Sequence, residues 1–425
     1  MSRIALLLAA TILSTSPLLA QQTGDAVPQD QADGSAPASG AADTPAGQPV
    51  ETAAPNAPDQ QPAFDGQTRA PQPEQTVAVA TEVVAQGLPH LWAMEFLPDG
   101  RMLVTAKEGA MHIVADGTPG PAIAGVPEVD FGGQGGLLDV ALGNDFAENG
   151  TIFFSFAEPR EDGNGTALAR ARLVEDGANA SLEDVEVIFS QRPTYDGDKH
   201  FGSRINIDEN DVIWLTVGER SDEEPRVQAQ DLGSHFGKVI RINTDGTPAE
   251  GNPFAGEEGA MPEIWSLGHR NTQSAALDSE GRFWMVEHGP KGGDELNRPE
   301  AGLNYGWPEV TYGIEYSGDP VGEGITQREG TQQPIYYWDP VIAPSGMAFY
   351  EGEEFPEWNG AALVGGLVST GVVVLHLNGD SVAYEERIPL DARVRDVRVG
   401  PDGAIYAVTE DRDTGSSEIV RITKG

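Results

Sequence analysis

From residue 79 onward the chain alternates short apolar runs with turns, and stretches at helical apolar spacing are scarce. The runs "MLVTA", "TIFFSF", "VIWLTV", "RFWMVE", "AALVGG" and "AIYAV" are rich in β-branched and aromatic residues. Gly, Pro, Asn and Asp punctuate them every 10 to 15 residues. This pattern predicts an all-β domain.

Aligning the runs on their turns exposes a repeat. "AMEFLPDGRMLVTA" (93–106), "DVALGNDFAENGTIFFSF" (139–156), "INIDENDVIWLTV" (205–217) and "AALDSEGRFWMVE" (275–287) share one form. Each is an apolar strand, an acidic or Asn/Gly turn, then a second aromatic or β-branched strand. A longer version spans 345–366, and "DVRVGPDGAIYAVTE" (396–410) closes the series. A lone hairpin cannot bury its apolar face, and radial repetition protects its edges. The 347 residues from 79 to 425 suit six four-stranded blades. The expected fold is a six-bladed β-propeller, with a pair of β-sandwiches as the rival.

The first 78 residues read differently. "MSRIALLLAATILSTSPLLAQQ" places one Arg before an apolar stretch that ends in small residues at Ala20. This predicts a secretory signal peptide over 1–20, and hence a periplasmic or secreted protein. Residues 21–78 are rich in Ala, Pro, Gln, Gly and Asp and nearly lack aromatics. Such a composition predicts a disordered linker. No later stretch approaches the length of a membrane span, and an exported chain without cysteine must hold its fold without disulfides.

The net charge is −41, with 26 basic against 67 acidic residues. Nucleic acid and anionic lipid surfaces would be repelled, so neither partner is expected. Against that background, polar clusters just before the repeat strands stand out. Gln134 lies in "GGQGG", His200 and Arg204 in "KHFGSR", and Arg270, Asn271 and Gln273 in "GHRNTQ". "EHGPKGGDELN" follows the fourth unit, and Arg393 and Arg395 open the sixth. Arginine forks suit carboxylates. The Gly289 and Pro290 carbonyls are hard oxygen donors of the kind Ca²⁺ takes. His200 is a candidate general base. Each motif alone also has a structural reading: a satisfied histidine, arginines paired with local acids, a turn. Together they suit a planar, multiply anionic cofactor held by arginines and a calcium ion.

Residues 88–423 resemble the soluble pyrroloquinoline quinone (PQQ) sugar dehydrogenases, especially the bacterial aldose sugar dehydrogenases. "GQGGLLDVALGNDF", "HFGSRI", "GSHFGKVIRINTDGTPAEGNPF", "EIWSLGHRNTQ", "EHGPKGGDELN", "NYGWPEVTYG", "PIYYWDPVIAPSGMAFY" and "RVRDVRVGPDG" occur in family order. The resemblance implies oxidation of an aldose sugar at C1 to a lactone, with PQQ and Ca²⁺ as cofactors and an external electron acceptor. It makes His200 the base and gives Arg204 a supporting place in its loop. Gln134 would line the substrate side. Arg270, Asn271, Gln273, Arg393 and Arg395 would meet or support the cofactor. Gly289 and Pro290 would bind the catalytic Ca²⁺, and Glu295 with the Tyr305 carbonyl a structural one. This chain departs from the pattern at three places. No Lys stands in "GGLVSTGVVVL" (365–375), where Ser369 and Thr370 occur, Glu219 replaces an Asp beside the base, and "GHRNTQS" replaces "GHRNPQG". These departures keep a second reading open, a non-redox sugar- or anion-binding propeller. A purely structural propeller is the third.

Overall fold

The computed structural model describes residues 45–425. The expected signal peptide, and the linker up to residue 44, lie outside them. Six four-stranded antiparallel sheets make up a six-bladed β-propeller. Blade 1 runs from Leu91 to Pro119, blade 2 from Leu137 to Ser190 and blade 3 from Gly202 to Leu267. Blade 4 runs from Thr272 to Trp338 and blade 5 from Pro344 to Pro389. Blade 6 takes three strands from Arg393–Lys424 and its outer strand from Val79–Leu88. The first strand of the domain thus pairs with the last, which closes the ring and removes an open edge.

The six hairpins of the sequence repeat are the first and second strands of the six blades. Each first strand packs against the first strands of its two neighbours. In every blade the register between these two strands slips near the start of the first strand. A bulge there bends the strand and re-aims its side chains. The polar motifs before blades 2, 3, 4 and 6 fall at or just ahead of these bulges, at one mouth of the channel.

Hydroxyls lock neighbouring blades at the same level. Thr105 Oγ1 accepts a hydrogen bond from Ala93 N and donates to Leu138 O of the next blade. Ser155 repeats this between Asp139 N and Ser203 O, and Thr216 between Arg204 N and Thr272 O. Bulge donors and acceptors that the ladder leaves open are thereby satisfied.

The structure corrects the linker expectation for residues 45–77. This segment lies as a strap across the outer edges of blades 4 and 5. Gln67 is fully buried; its carbonyl accepts from Tyr337 N at 2.8 Å and its Nε2 donates to Pro334 O at 2.9 Å. Asp339 receives Asn56 N and Ala57 N at 2.7 and 2.9 Å. Arg69 donates to Glu51 O, Ala53 O and Asp339 O. Pro71 O accepts from Glu385 N on blade 5. A composition too polar to build its own core predicts no independent fold, but it does not preclude docking by hydrogen bonds onto an existing edge.

Candidate active site

Loops from blades 2, 3, 4 and 6 converge at the bulged mouth. His200 precedes the first strand of blade 3. Its φ is +50°, a left-handed conformation that costs energy for a non-glycine residue. Gly218 makes room for it, since a Cβ there would stand 2.1 Å from His200 O. Gln134 fixes the backbone from blade 2: its Oε1 accepts from His200 N at 2.8 Å and its N donates to Asp198 O at 2.7 Å.

The His200 ring is buried, and its Nδ1 lies 3.0 Å from Glu219 Oε2. Glu219 is also buried. Burial pulls the histidine pKa below its usual 6.5; Glu219 opposes this and Arg270 adds to it. Burial pushes Glu219 up, but its interaction with His200, the charge of Arg270 and the Ser221 amide outweigh it and leave the carboxyl below its usual range. The pair is therefore a neutral imidazole beside a carboxylate. Glu219 receives the Nδ1 proton, which leaves Nε2 as the acceptor, and among the described residues no hydrogen bond to Nε2 is formed. That is the arrangement a general base needs.

Blade 4 supplies the next wall, from the connection between Leu267 and Thr272. Arg270 N donates to Glu287 Oε2 at 2.6 Å. The guanidinium stacks 5.2 Å above the Trp307 ring and donates to Gly289 O at 2.8 Å. Its Nε is buried without a partner. Asn271 Oδ1 accepts from Gly202 N, which ties the blade 4 loop to the base loop. Gln273 Oε1 accepts from Arg395 Nη1 at 3.1 Å and lies 3.4 Å from His288 Nε2. His288 is held well below its ordinary pKa by burial and by the charges of Arg270, His200 and Arg395.

Blade 6 completes the mouth. Arg393 Nε donates to Glu410 Oε1 and Arg395 Nε to Glu410 Oε2, both at 2.8 Å. Burial pushes Glu410 up, yet Arg395, His90 and Arg393 hold it well below its usual range. Both arginines thus pair with a local acid, the structural alternative to a cofactor contact, while standing beside Gln273 at the mouth. Arg204 differs from expectation: it lies inside the channel, on Asp139 at 2.9 Å and Asp396 at 3.1 Å, rather than supporting the His200 loop.

Among the expected metal donors, Gly289 O accepts from Arg270, while Pro290 O accepts no hydrogen bond from the described residues. Gly289 N is held by Asp294 Oδ1 at 2.9 Å. Glu295 is buried; burial and neighbouring Glu287 push its carboxyl well above the usual range. Asn297 donates to both carboxylates, and its own Oδ1 is buried without a partner. The Tyr305 ring stacks on His269, and its carbonyl accepts no hydrogen bond. In the fifth blade Ser369 Oγ is likewise buried and unpartnered.

Sequence reasoning missed Glu287, His288 and Glu410 as side chains of the mouth, and Lys107, whose Nζ donates to Gly133 O. A signal was present. Aligned on the repeat, three second strands end in or just before an acid: "TVGE" at Glu219, "MVE" at Glu287 and "VTE" at Glu410.

Residues 88–421 match the Glucose / Sorbosone dehydrogenase family. The chain is 41% identical to the aldose sugar dehydrogenase YliI of Escherichia coli over 352 residues, 81% of this chain and 93% of that one. It is similar in structure to the soluble aldose sugar dehydrogenase from Escherichia coli in its apo form, with 39% identity and a TM-score of 0.77. That match covers 82% of this chain and all of the other. The PQQ-bound aldose sugar dehydrogenase from Streptomyces coelicolor is 28% identical with a TM-score of 0.66, covering 82% of this chain and 99% of that one. With the mouth built as described and the match spanning nearly the whole propeller, this chain belongs to the glucose/sorbosone dehydrogenase family.

Proposed function

We propose that the protein is a periplasmic quinoprotein that oxidises the C1 hydroxyl of an aldose sugar to the lactone, with PQQ and Ca²⁺ as cofactors. The carrying observation is the neutral His200, its Nδ1 on Glu219 and its Nε2 without a hydrogen bond among the described residues. The mouth also fits an anionic cofactor. In a chain of net charge −41 it gathers Arg270, Arg393 and Arg395, and it leaves Arg270 Nε buried and unpaired. The PQQ-bound relative supports the same reading.

Arg270, Arg393 and Arg395 would hold the cofactor's carboxylates, with Asn271 beside them and Gln273 setting the Arg395 head. Pro290 O and Gly289 O would take the catalytic Ca²⁺ once Arg270 turns to the cofactor. Glu295 and Tyr305 O would take a structural Ca²⁺, which suits the unpartnered Asn297 Oδ1 beside them. Bound PQQ would supply the two-electron acceptor for the hydride leaving C1, and Ca²⁺ a Lewis acid. His200 Nε2 takes the proton of the C1 hydroxyl. Glu219 holds the ring in one tautomer and stabilises the imidazolium that forms. Gln134 holds the base loop at the substrate side.

The test is reconstitution of the full chain with PQQ and Ca²⁺, then dye reduction by a panel of aldoses. Turnover that drops about 10²- to 10⁴-fold in His200→Ala, with PQQ still bound, is the expected result. Absence of any aldose-dependent reduction by the loaded wild type would refute the reading. Calorimetric sugar binding without turnover would point to a non-redox binding propeller instead.

A further inference from the structure

Arg220 follows Glu219 in "GERSDEE", is only 1% exposed, and has no place in the chemistry above. Burying a guanidinium is costly; here burial draws its pKa down to about 10. It touches neither the His200 ring nor any group that would hold a cofactor. Instead it spans the turn that delivers His200. Its Nε donates to Lys199 O at 3.0 Å and its Nη2 to Gly197 O at 2.5 Å. The guanidinium carbon lies 4.0 Å over the centre of the Phe201 ring. Contacts therefore fall on residues 197, 199 and 201, on both sides of the base. Asn164 completes the clamp: its Oδ1 accepts from Arg220 Nη2 at 2.6 Å, and its Nδ2 donates to the same Gly197 O at 2.9 Å.

The turn needs such a clamp. His200 sits at φ +50° and Ser203 at +96°, conformations that persist only where surroundings over-determine them. Arg220 is itself at φ +76°, directed inward by the same strained corner that points Glu219 at the ring. Base and carboxylate are thus set by one rigid unit, with Glu219 fixing the imidazole and Arg220 the backbone that carries it.

We infer that Arg220 is a positioning residue for His200: its fork on Gly197 O and Lys199 O, with its contact over Phe201, holds the base in register with Glu219. The inference rests on His200 being the base. A lysine keeps the charge but offers neither the fork nor the plane.

The test compares Arg220→Lys, Arg220→Gln and His200→Ala in the full chain. In the apo protein, side-chain ¹⁵N shifts of His200 should report one Nδ1–H tautomer in wild type and a tautomer mixture in Arg220→Lys. In the reconstituted enzyme, Arg220→Lys should lower kcat about 10²-fold, the scale of an ångström misplacement. Its KM and PQQ affinity should stay within about twofold, a range that 0.4 kcal/mol spans. Arg220→Gln should behave likewise with a larger kcat loss. If Arg220→Lys keeps the wild-type tautomer and kcat, the clamp plays no such part. Equal losses in kcat, KM and PQQ affinity would make Arg220 a general structural residue and also overturn the inference. Arg220→Gln failing to fold leaves Arg220→Lys and the apo spectra to decide. His200→Ala separates the two claims: if it retains turnover, the base assignment fails, whereas if it abolishes turnover and Arg220→Lys is unaffected, only the positioning role fails.

Discussion

The channel and its mouth both bury arginines beside carboxylates, yet they differ in how completely the groups are satisfied. Inside the channel, Arg204 donates to Gln273 O, Asp139 and Arg395 O, and its plane lies 4.2 Å over Trp92. Asp139 also receives Ile205 N, and Asp396 receives Met94 N and Arg398. Among the described residues, no buried polar atom of Arg204, Asp139, Asp396, Arg398 or Glu95 lacks a partner. At the mouth the count does not close. Arg270 Nε, Glu219 Oε1 and Ser369 Oγ are buried without partners, and Pro290 O accepts nothing from the described residues. Unpartnered buried atoms also occur at Asn206, Arg220, Arg241 and Asn252, so it is the convergence of several beside the base that marks the mouth as a place for a ligand. Charge and residue type alone do not separate the two.

The largest expected effect lies in the channel. Arg204→Ala takes from Asp139 and Asp396 the cation at 2.9 and 3.1 Å and leaves them only Arg398, at 3.6 and 3.0 Å; breaking a buried pair in this way costs up to about 3–5 kcal/mol. Denaturant titration of the apo protein should show this loss. A change below about 1 kcal/mol would mean that water enters the channel and screens the carboxylates.

Arg270 at the mouth should behave oppositely. Its guanidinium lies over Trp307 and donates to Gly289 O, and one of its donors is unpaired. Arg270→Gln should therefore move apo stability far less than Arg204→Ala. It should weaken PQQ binding about 10- to 150-fold, the worth of a charge-assisted bond of about 1.5–3 kcal/mol. Fluorescence titration with PQQ measures this without turnover. A large stability loss with unchanged affinity would move Arg270 into the structural class.

What was legible in the sequence follows the same division. The six hairpins were readable because period-2 alternation and turn residues are local. The mouth residues were readable as polar insertions before apolar strands, and His200, Arg270, Asn271 and Gln273 do come together. Arg204 was misplaced because four residues along a bulged strand carry a side chain from the mouth into the channel. Glu410 was passed over because its partners, Arg393 and Arg395, lie 17 and 15 residues away. The strap was illegible because its hold on blades 4 and 5 consists largely of backbone groups and polar side chains, among them Gln67, Arg69, Tyr336, Asp339 and Glu386. Hydrophobicity does not report such contacts.

A smaller effect concerns pH. The His200 pKa is depressed by burial and partly restored by Glu219. As pH falls below about 6.5, the unfolded chain takes the proton first. This group therefore lowers stability on the acid side and is silent above it. For the same reason the acid limb of kcat/KM should lie below 6.5. Glu219→Gln removes the charge that raises the His200 pKa, so the limb should move further down while kcat falls with the loss of the oriented tautomer. An upward shift would show that another group controls the limb.

The smallest effect tests the rule outside both regions. The strap precedes the family match, which begins at residue 88, and packs on the outer strands of blades 4 and 5. Arg69 donates there to three carbonyls, at 2.9, 2.8 and 2.8 Å. By the saturation argument it is structural. Its loss exposes carbonyls that water can reach, because Arg69 is only partly buried. Arg69→Ala should thus cost about 1 kcal/mol, near the net worth of one protein hydrogen bond. Turnover and PQQ affinity should not change. Hydrogen exchange gives the sharper reading: amides of Asn56 and Ala57, bound to Asp339, should lose protection while the blade cores keep theirs. Should Arg69→Ala alter PQQ binding while leaving those amides protected, the strap would communicate with the mouth, and saturation would no longer separate structure from site.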